Sequence, residues 1–389
     1  MLSKQATFIV LILITLSFHS LSQPLQLEWV SEYPCYGPNS LEYDRVLTDE
    51  AQNVYLCGKV VTSNIPILYG AAMLVLKFDS MGAQQWETKF DNRYDDYFRD
   101  CIFNGSDGIV VAGFRGSLPG SDPNRAEMAS FDKETGNEQW RCFIFDTVLI
   151  KAGINDIDKD DEGNIYAFGL YNEYPDIYDS TKLYVAKIDP VSGNVIWSKV
   201  FYDKFTVSKG KVMSDRIRIV GLEKNGLSQA NKFLMDIDFA GNTIAMTYLL
   251  DIDYGPGIFN TYFFFDHEGY YIGFGKYITK FGISQHHEWT FDFARGLPNM
   301  IGQAMNAVVD EDGNLYATGY LKDTMTTKES TQTIKLSPEG DLLWATVDNF
   351  SDDTYFERGD QIAISKHHVF VSSMITYSTP VGPAPQKLD

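Results

Sequence analysis

Apolar and polar residues alternate along most of the chain, and the alternation keeps returning in one form. "DEDGNLYATGY" from Asp310 opens on a polar turn and runs on as an alternating strand. "DEAQNVYLCGK" from Asp49, "NGSDGIVVAGF" from Asn104, "DDEGNIYAFGL" from Asp160 and "FDHEGYYIGFG" from Phe265 share the form, and "MSDRIRIVGLE" from Met213 and "SKHHVFVSSMI" from Ser365 carry it more weakly. A second form is interleaved with the first. "LKFDSMGAQQW", "SFDKETGNEQW", "KIDPVSGNVIW", "KFGISQHHEW" and "KLSPEGDLLW" end at Trp86, Trp140, Trp197, Trp289 and Trp344, and "MDIDFAGNTIA" puts Ala245 where tryptophan would stand. Alternation with a period of two marks half-buried strands, and the Gly-Asn pairs supply the positive φ angles of tight hairpins.

The repeat length is about 50 residues, the mark of a propeller or a repeat array. Each unit holds four strand-like runs, which in the third unit fall at about 153–158, 164–169, 183–188 and 194–200. Four strands per unit predict a propeller blade. The N-terminal end offers only a tryptophan strand, "LQLEWVS", while the C-terminal end offers three runs at about 359–364, 368–375 and "PQKLD". The expectation is an all-β, seven-bladed β-propeller of four-stranded blades, a single domain over 23–389, closed by N- and C-terminal strands in one blade. Closure hides the sheet edges that a linear array would expose. Tryptophan on each outer strand is expected to be buried between blades, so Trp197→Ala should cost about 3–5 kcal/mol at full burial.

The N-terminus changes the picture of where the chain works. Lys4 precedes a short apolar run, Phe8 to Leu16, and small residues follow at Ser20 and Ser22. This reads as an export leader over 1–22 with cleavage before Gln23, too short to span a bilayer. No later stretch is apolar enough to span. A secreted, periplasmic or cell-surface location is expected. The chain has 389 residues and a net charge of −20, an acidic surface that repels phosphate backbones and argues against nucleic acid. Cys35, Cys57, Cys101 and Cys142 match no zinc spacing. Export makes disulfides chemically possible, and Cys57 and Cys101 also fit as buried thiols in apolar strands.

The tryptophan form resembles the repeat of PQQ-type, quinoprotein-like propellers. Asp132, Thr135, Gly136 and Trp140 match that repeat, and Asp189, Ser192, Gly193 and Trp197 match it with serine for threonine. "GNLYATGY" resembles the short β-propeller repeats of secreted bacterial proteins. The resemblance implies a fold and carries little about activity. Quinoprotein dehydrogenases of that family use eight blades, a bound calcium and a catalytic aspartate beside the quinone. No adjacent cysteine pair or matching residue set is present, so no cofactor is expected.

Candidate chemistry is sparse. Glycine precedes tryptophan by four residues rather than the three of a sialidase Asp box, and no nucleophile elbow or phosphate loop occurs. His286–His287 and His367–His368 are adjacent pairs whose side chains would diverge on a strand. Asp156, Asp158 and Asp160 have the alternate spacing of a calcium loop, but Asp161 stands where glycine is needed. The short "DGN" and "SGN" turns share one face of a propeller, and the longer segments 59–71, 114–126, 170–182, 222–231 and 321–330 share the other. On that face "LEYDRV", "RYDDYFRD" and "DDTYFERGD" precede neighbouring blades. Arg45, Arg99 and Arg358 are expected to gather near one mouth of the channel beside Asp44, Asp100 and Asp360, with Tyr94, Tyr97, Phe98, Tyr355 and Phe356 as flat surfaces. Tyr174 lies in a further loop there. Arg45, Tyr94, Tyr97, Arg99, Asp100, Tyr174, Tyr355, Arg358 and Asp360 are the candidate ligand contacts. Such pairs also tie linkers down. The functional expectation is a non-enzymatic monomer that binds or scaffolds a protein or glycan. The alternative is a carbohydrate-active propeller enzyme, a polysaccharide lyase or glycosidase using two axial carboxylates.

Overall fold

The computed structural model describes residues 6–15, 26–36, 41–61, 71–90, 96–116, 125–145, 150–173, 181–201, 205–224, 230–248, 261–265, 269–274, 277–282, 286–348, 354–365 and 368–377. These residues form seven four-stranded antiparallel sheets, and none of them is helical. The fold is an all-β propeller with four-stranded blades. Blades one to six begin with the strands Leu41–Thr48, Tyr97–Asn104, Ile150–Lys159, Phe205–Val212, Thr261–Phe265 and Met300–Val309, and the seventh contains Thr354–Ser365. In the third blade the strands are Ile150–Lys159, Ile165–Glu173, Lys182–Ile188 and Val195–Phe201, close to the ranges read from the sequence. First strands of neighbouring blades touch one another, so they build the inner wall.

Apolar residues of the second and third strands are buried between blades. Phe168, Leu183 and Val185 of the third blade pack on Phe205, Val207, Phe233 and Met235 of the fourth. Ala363 and Phe370 of the seventh pack with Val46, Leu56 and Leu74 of the first, joined by Trp29.

The outer strands are fastened by a recurrent interlock. Trp86 Nε1 donates to the carbonyl of Lys133 at 3.2 Å, Trp140 to Pro190 at 3.0 Å and Trp289 to Pro338 at 2.8 Å, each in the third-to-fourth strand turn of the next blade. Trp29 of the seventh blade does the same to Ser80 of the first at 3.0 Å. The turn glycine lies flat on the ring. A Cβ on Gly193, whose φ is +71°, would sit 2.5 Å from the Trp140 ring. The turn is held by its aspartate, which in the third blade accepts the N–H groups of Val191 and Ser192 at 3.1 and 2.7 Å.

Two expectations are amended. The tryptophans are half-buried rather than enclosed, because one edge of each outer strand meets solvent; Trp197 follows this pattern. Its loss should therefore fall below the ~3–5 kcal/mol of full burial. In the seventh blade the third strand is Ala6–Thr15, paired with His368–Tyr377 on one side and Gln26–Tyr36 on the other. The run "FIVLILI", read from the sequence as part of a leader, is rich in β-branched residues, which favour a strand paired on both sides. "PQKLD" lies outside the described residues.

Gly193→Ala should destabilise the protein by about 2–4 kcal/mol, since it combines a strained φ with a clash against Trp140. Gly163 has a φ of +87° but nothing within 4 Å of its added Cβ. Gly163→Ala should therefore cost only about 1 kcal/mol, the backbone share alone. Denaturant midpoints of the two variants compare these values, and equal losses would show that the tryptophan contact contributes nothing.

Candidate functional site: the inner ring and the long-loop face

Six of the seven inner strands share one irregularity. Pairing of the first strand with the second slips between Tyr43 and Arg45, Phe98 and Asp100, Ile154 and Asp156, Val207 and Lys209, Ala304 and Asn306, and Gly359 and Gln361. The residue opposite the slip is the glycine that ends each repeat: Gly58, Gly113, Gly169, Gly221 and Gly319, with Ser373 in the seventh blade. A Cβ on Gly113 would lie 1.8 Å from the Tyr97 carbonyl oxygen, and one on Gly319 would lie 1.9 Å from that of Gln303. At Gly113 and Gly319 the bulge brings backbone against backbone with no room for a Cβ, and it re-aims the next side chain.

Those next side chains are Arg45, Asp100, Asp156, Lys209, Asn306 and Gln361, and they link blade to blade. Arg45 Nε lies 3.3 Å from Asp100 Oδ1. The Asp100 and Asp156 carboxyls meet, and Lys209 pairs with Asp156. Asn306 Nδ2 donates to Gln361 Oε1. Backbone groups complete the chain of contacts. Ile157 N–H donates to Asp100 at 3.0 Å, Gly210 N–H to Asp156 at 2.8 Å and Val212 N–H to Asp158 at 2.8 Å. Each of these carboxylates thus ties its own blade to the next.

Asp100 and Asp156 are 2% and 3% exposed, so the pair is out of solvent. Burial drives the Asp156 carboxyl up to about 7, against the pull of Lys209 and reinforced by the Asp100 charge. Burial would also raise Asp100, but Arg45 and Lys209 hold it below the usual carboxylate range. With Asp156 pushed up and Asp100 held down, the two carboxyls are set to share a proton below about pH 7.

The long-loop face carries a different arrangement. Tyr97 and Phe114 stack with centroids 4.8 Å apart at 29°. Lys59 of the first blade lies 4.2 Å over the Tyr97 ring, and the Arg99 guanidinium lies 5.9 Å from Tyr97 and 6.0 Å from Phe114. Two rings and two cations therefore bridge the first and second blades. Arg99 is the bulged residue, which is why it points away from the inner ring that Arg45 and Asp100 occupy.

The structure brings Arg45 to Asp100 as the sequence suggested, but it does not gather the three arginines. Arg358 is bound by Glu329 of the sixth blade, with Nε 2.6 Å from Oε2, and it lies 4.4 Å over the Tyr320 ring. Glu329 opens the third strand of the neighbouring blade, at the height of Arg358. Tyr94 and Tyr174 lie outside the described residues, as do the side chains of Asp44, Tyr355 and Phe356. The calcium-like spacing does not converge. Asp156 enters the inner ring, Asp158 pairs with Lys211 at 3.0 Å, and Asp160 stays in its hairpin. Among the described residues no group of three or more His, Cys, Asp or Glu side chains is set to hold a metal.

The opening hairpin shows what its acids do. Asp310 accepts the N–H groups of Asp312 and Asn314 at 3.1 and 2.8 Å, and the Asn314 side chain as well. Asp160 with Asn164 and Asp49 with Asn53 repeat this, and the hydroxyls of Tyr166 and Tyr55 donate to the same carboxylates at 3.1 and 3.0 Å. Cys57, Cys101 and Cys142 are free thiols, and burial raises Cys101 well above its usual range.

No family model matches the chain, and no curated protein matches it. Solved structures do. The β-propeller domain of the Trilobed protease from Pyrococcus furiosus is 9% identical, over 87% of this chain and 95% of that one, at a TM-score of 0.49. The acylaminoacyl peptidase of Pyrococcus horikoshii is 10% identical, over 85% of this chain and 48% of that longer one, at 0.50. A quinohemoprotein alcohol dehydrogenase from Pseudomonas putida is 11% identical, over 93% and 72%, at 0.38. Likeness at such identities is one of fold.

The acid pair sets a pH dependence. Because the fold raises Asp156, its contribution to stability is whole below the ordinary carboxylate range and is lost as pH rises through about 7. Asp100 is lowered, so its contribution is lost only at more acid pH. The denaturant midpoint should therefore fall between about pH 5 and about pH 8, and Asp156→Asn should flatten that fall. An identical slope in the variant would show that the pair does not share a proton.

Proposed function

We propose that this chain is exported after removal of residues 1–22 and closes as a ring of seven blades. In this reading it acts outside the cytoplasm as a non-enzymatic binding or scaffold module for a protein or glycan. The observation that carries the reading is the Tyr97–Phe114 stack with Lys59 and Arg99 over its rings. Flat aromatic surface contacts sugar rings and peptide side chains at little entropic cost, and adjoining cations orient an acidic or hydroxyl-rich partner. The site sits where strands end and long segments begin, which is how a rigid scaffold acquires specificity.

The shared-proton pair Asp100–Asp156 supports the second reading, a polysaccharide lyase or glycosidase, because two close carboxylates of unlike pKa are the raw material of acid–base chemistry. Binding is favoured over it by what those oxygens already do. Each carboxylate already accepts a backbone N–H of the next blade and faces a cation, a structural role in the ring.

Tyr97→Ala and Arg99→Ala should each weaken capture of a protein or glycan ligand by about tenfold or more, since truncating an aromatic or arginine anchor costs at least ~1–2 kcal/mol. Glycan-array and pull-down screening of the exported protein supplies the ligand. Unchanged affinity in both variants with an intact fold would remove the site, and polysaccharide cleavage abolished by Asp156→Asn would install the enzyme reading in its place.

A further inference from the structure

We propose that Cys57 and Cys101 are a disulfide site, a covalent staple between the first and second blades that forms when the chain folds in the presence of a small-molecule disulfide. The staple goes beyond the binding reading above and does not depend on it.

The repeat brings the two thiols together. Cys57, Ala112 and Phe168 each precede a repeat-ending glycine, and they pair across their own sheets with Arg45, Asp100 and Asp156. Cys101, Ile157 and Gly210 each follow the inner-ring side chain of the next blade, Asp100, Asp156 and Lys209. These two positions meet where neighbouring blades pack. Between the third and fourth blades a Cβ on Gly210 would lie 2.4 Å from the Phe168 ring. Between the second and third, Ala112 and Ile157 share one buried cluster. Between the first and second, Cys57 and Cys101 do so, each 0% exposed. The two other seams set a large residue against a small one, and this seam sets thiol against thiol.

Contacts on either side fix the height. Tyr55, two residues before Cys57, meets Phe103, two residues after Cys101, edge to face with centroids 5.4 Å apart. Lys59, two residues after Cys57, lies 4.2 Å over the ring of Tyr97, beyond the bulge that precedes Cys101. Side chains two apart on a strand share a face. The strands Val54–Val61 and Tyr97–Asn104 therefore cross the seam with Cys57 opposite Cys101, and the two thiols are hydrogen-bonded. Such a contact aims the two sulfurs at one another, as a disulfide requires. Cys142 is turned the other way, toward the cluster shared with the third blade.

Bond formation is a double exchange. One cysteine thiolate attacks a sulfur of the small disulfide and expels a thiolate. The second cysteine then attacks the first cysteine's sulfur in the mixed disulfide and expels the other. The two cysteine protons end on the two released thiols, and the two electrons of the new bond's partners reduce the small disulfide. Burial pushes the Cys101 thiol well above its usual range. A buried, protonated thiol exchanges slowly, so the closed seam shuts out oxidant and reductant alike. The bond is made before the seam closes and is kept afterwards.

The test makes the full chain by cell-free synthesis with oxidised glutathione and, in parallel, with dithiothreitol. The soluble product is alkylated in denaturant and mapped by mass, and the Cys35→Ala/Cys142→Ala chain is treated in the same way. The expected result with glutathione is a joined Cys57–Cys101 peptide in both chains, with Cys142 alkylated in the first. That link should survive dithiothreitol in native buffer about tenfold longer or more than in denaturant. A soluble oxidised chain with Cys57 and Cys101 both alkylated, or with either joined to Cys35 or Cys142, overturns the proposal. Reduction as fast in native buffer as in denaturant overturns it too, because the link would then lie outside the closed seam.

Discussion

The blade-to-blade interlock governs the rest of the molecule. A twisted four-stranded sheet cannot cover its own apolar faces, and here each face is covered by the neighbouring blade. Apolar packing alone leaves blades free to slide, because it has no direction. The tryptophan that donates to a turn carbonyl one blade away removes that freedom, since the ring, the turn glycine beneath it and the aspartate that shapes the turn fit in one register only. The edge exposed by each outer strand is what keeps these tryptophans half-buried. The interlock therefore works by direction and shape more than by buried area.

At the inner wall the same problem is solved with charge. First strands crowd together there, and in six of the seven sheets a bulge turns one polar side chain toward its neighbour. Buried carboxylates are costly unless satisfied, and this ring satisfies them with N–H groups from the next blade and with Arg45 and Lys209. Two adjacent aspartates cannot both ionise cheaply in that setting, and sharing a proton relieves the repulsion.

The repeat period, the four strands per unit and the hairpin glycines were all legible in the sequence, because each is a local pattern with a local cause. The repeat-ending glycine was visible, but its reason was not, since Gly113 and Gly319 answer to a bulge on another strand. The pairing of Arg45 with Asp100 could be read from their matching places before consecutive blades. Arg358 could not be placed that way, because Glu329 opens a third strand whose height depends on tertiary register. The hairpin acids carried a usable signal: aspartate, then asparagine four residues on and tyrosine six on, as in Asp49, Asn53 and Tyr55. That spacing marks a self-capped turn and accounts for the carboxylates without a metal. Asp156, Asp158 and Asp160 share a calcium-like spacing, but a bulge after Ile154 and a hairpin at Asp160 send them to separate partners.

These constraints divide the molecule by face. The hairpin end is closed by its own aspartates, and the inner wall is occupied by inter-blade bonds. The long-loop end differs, because Arg99 is a bulged residue and so is directed away from the ring that absorbs Arg45 and Asp100. Its guanidinium and Lys59 lie over Tyr97 and Phe114, in contacts that leave Arg99 exposed. Side chains set at the loop end of a rigid scaffold are the ones that can differ without disturbing the interlock or the inner ring.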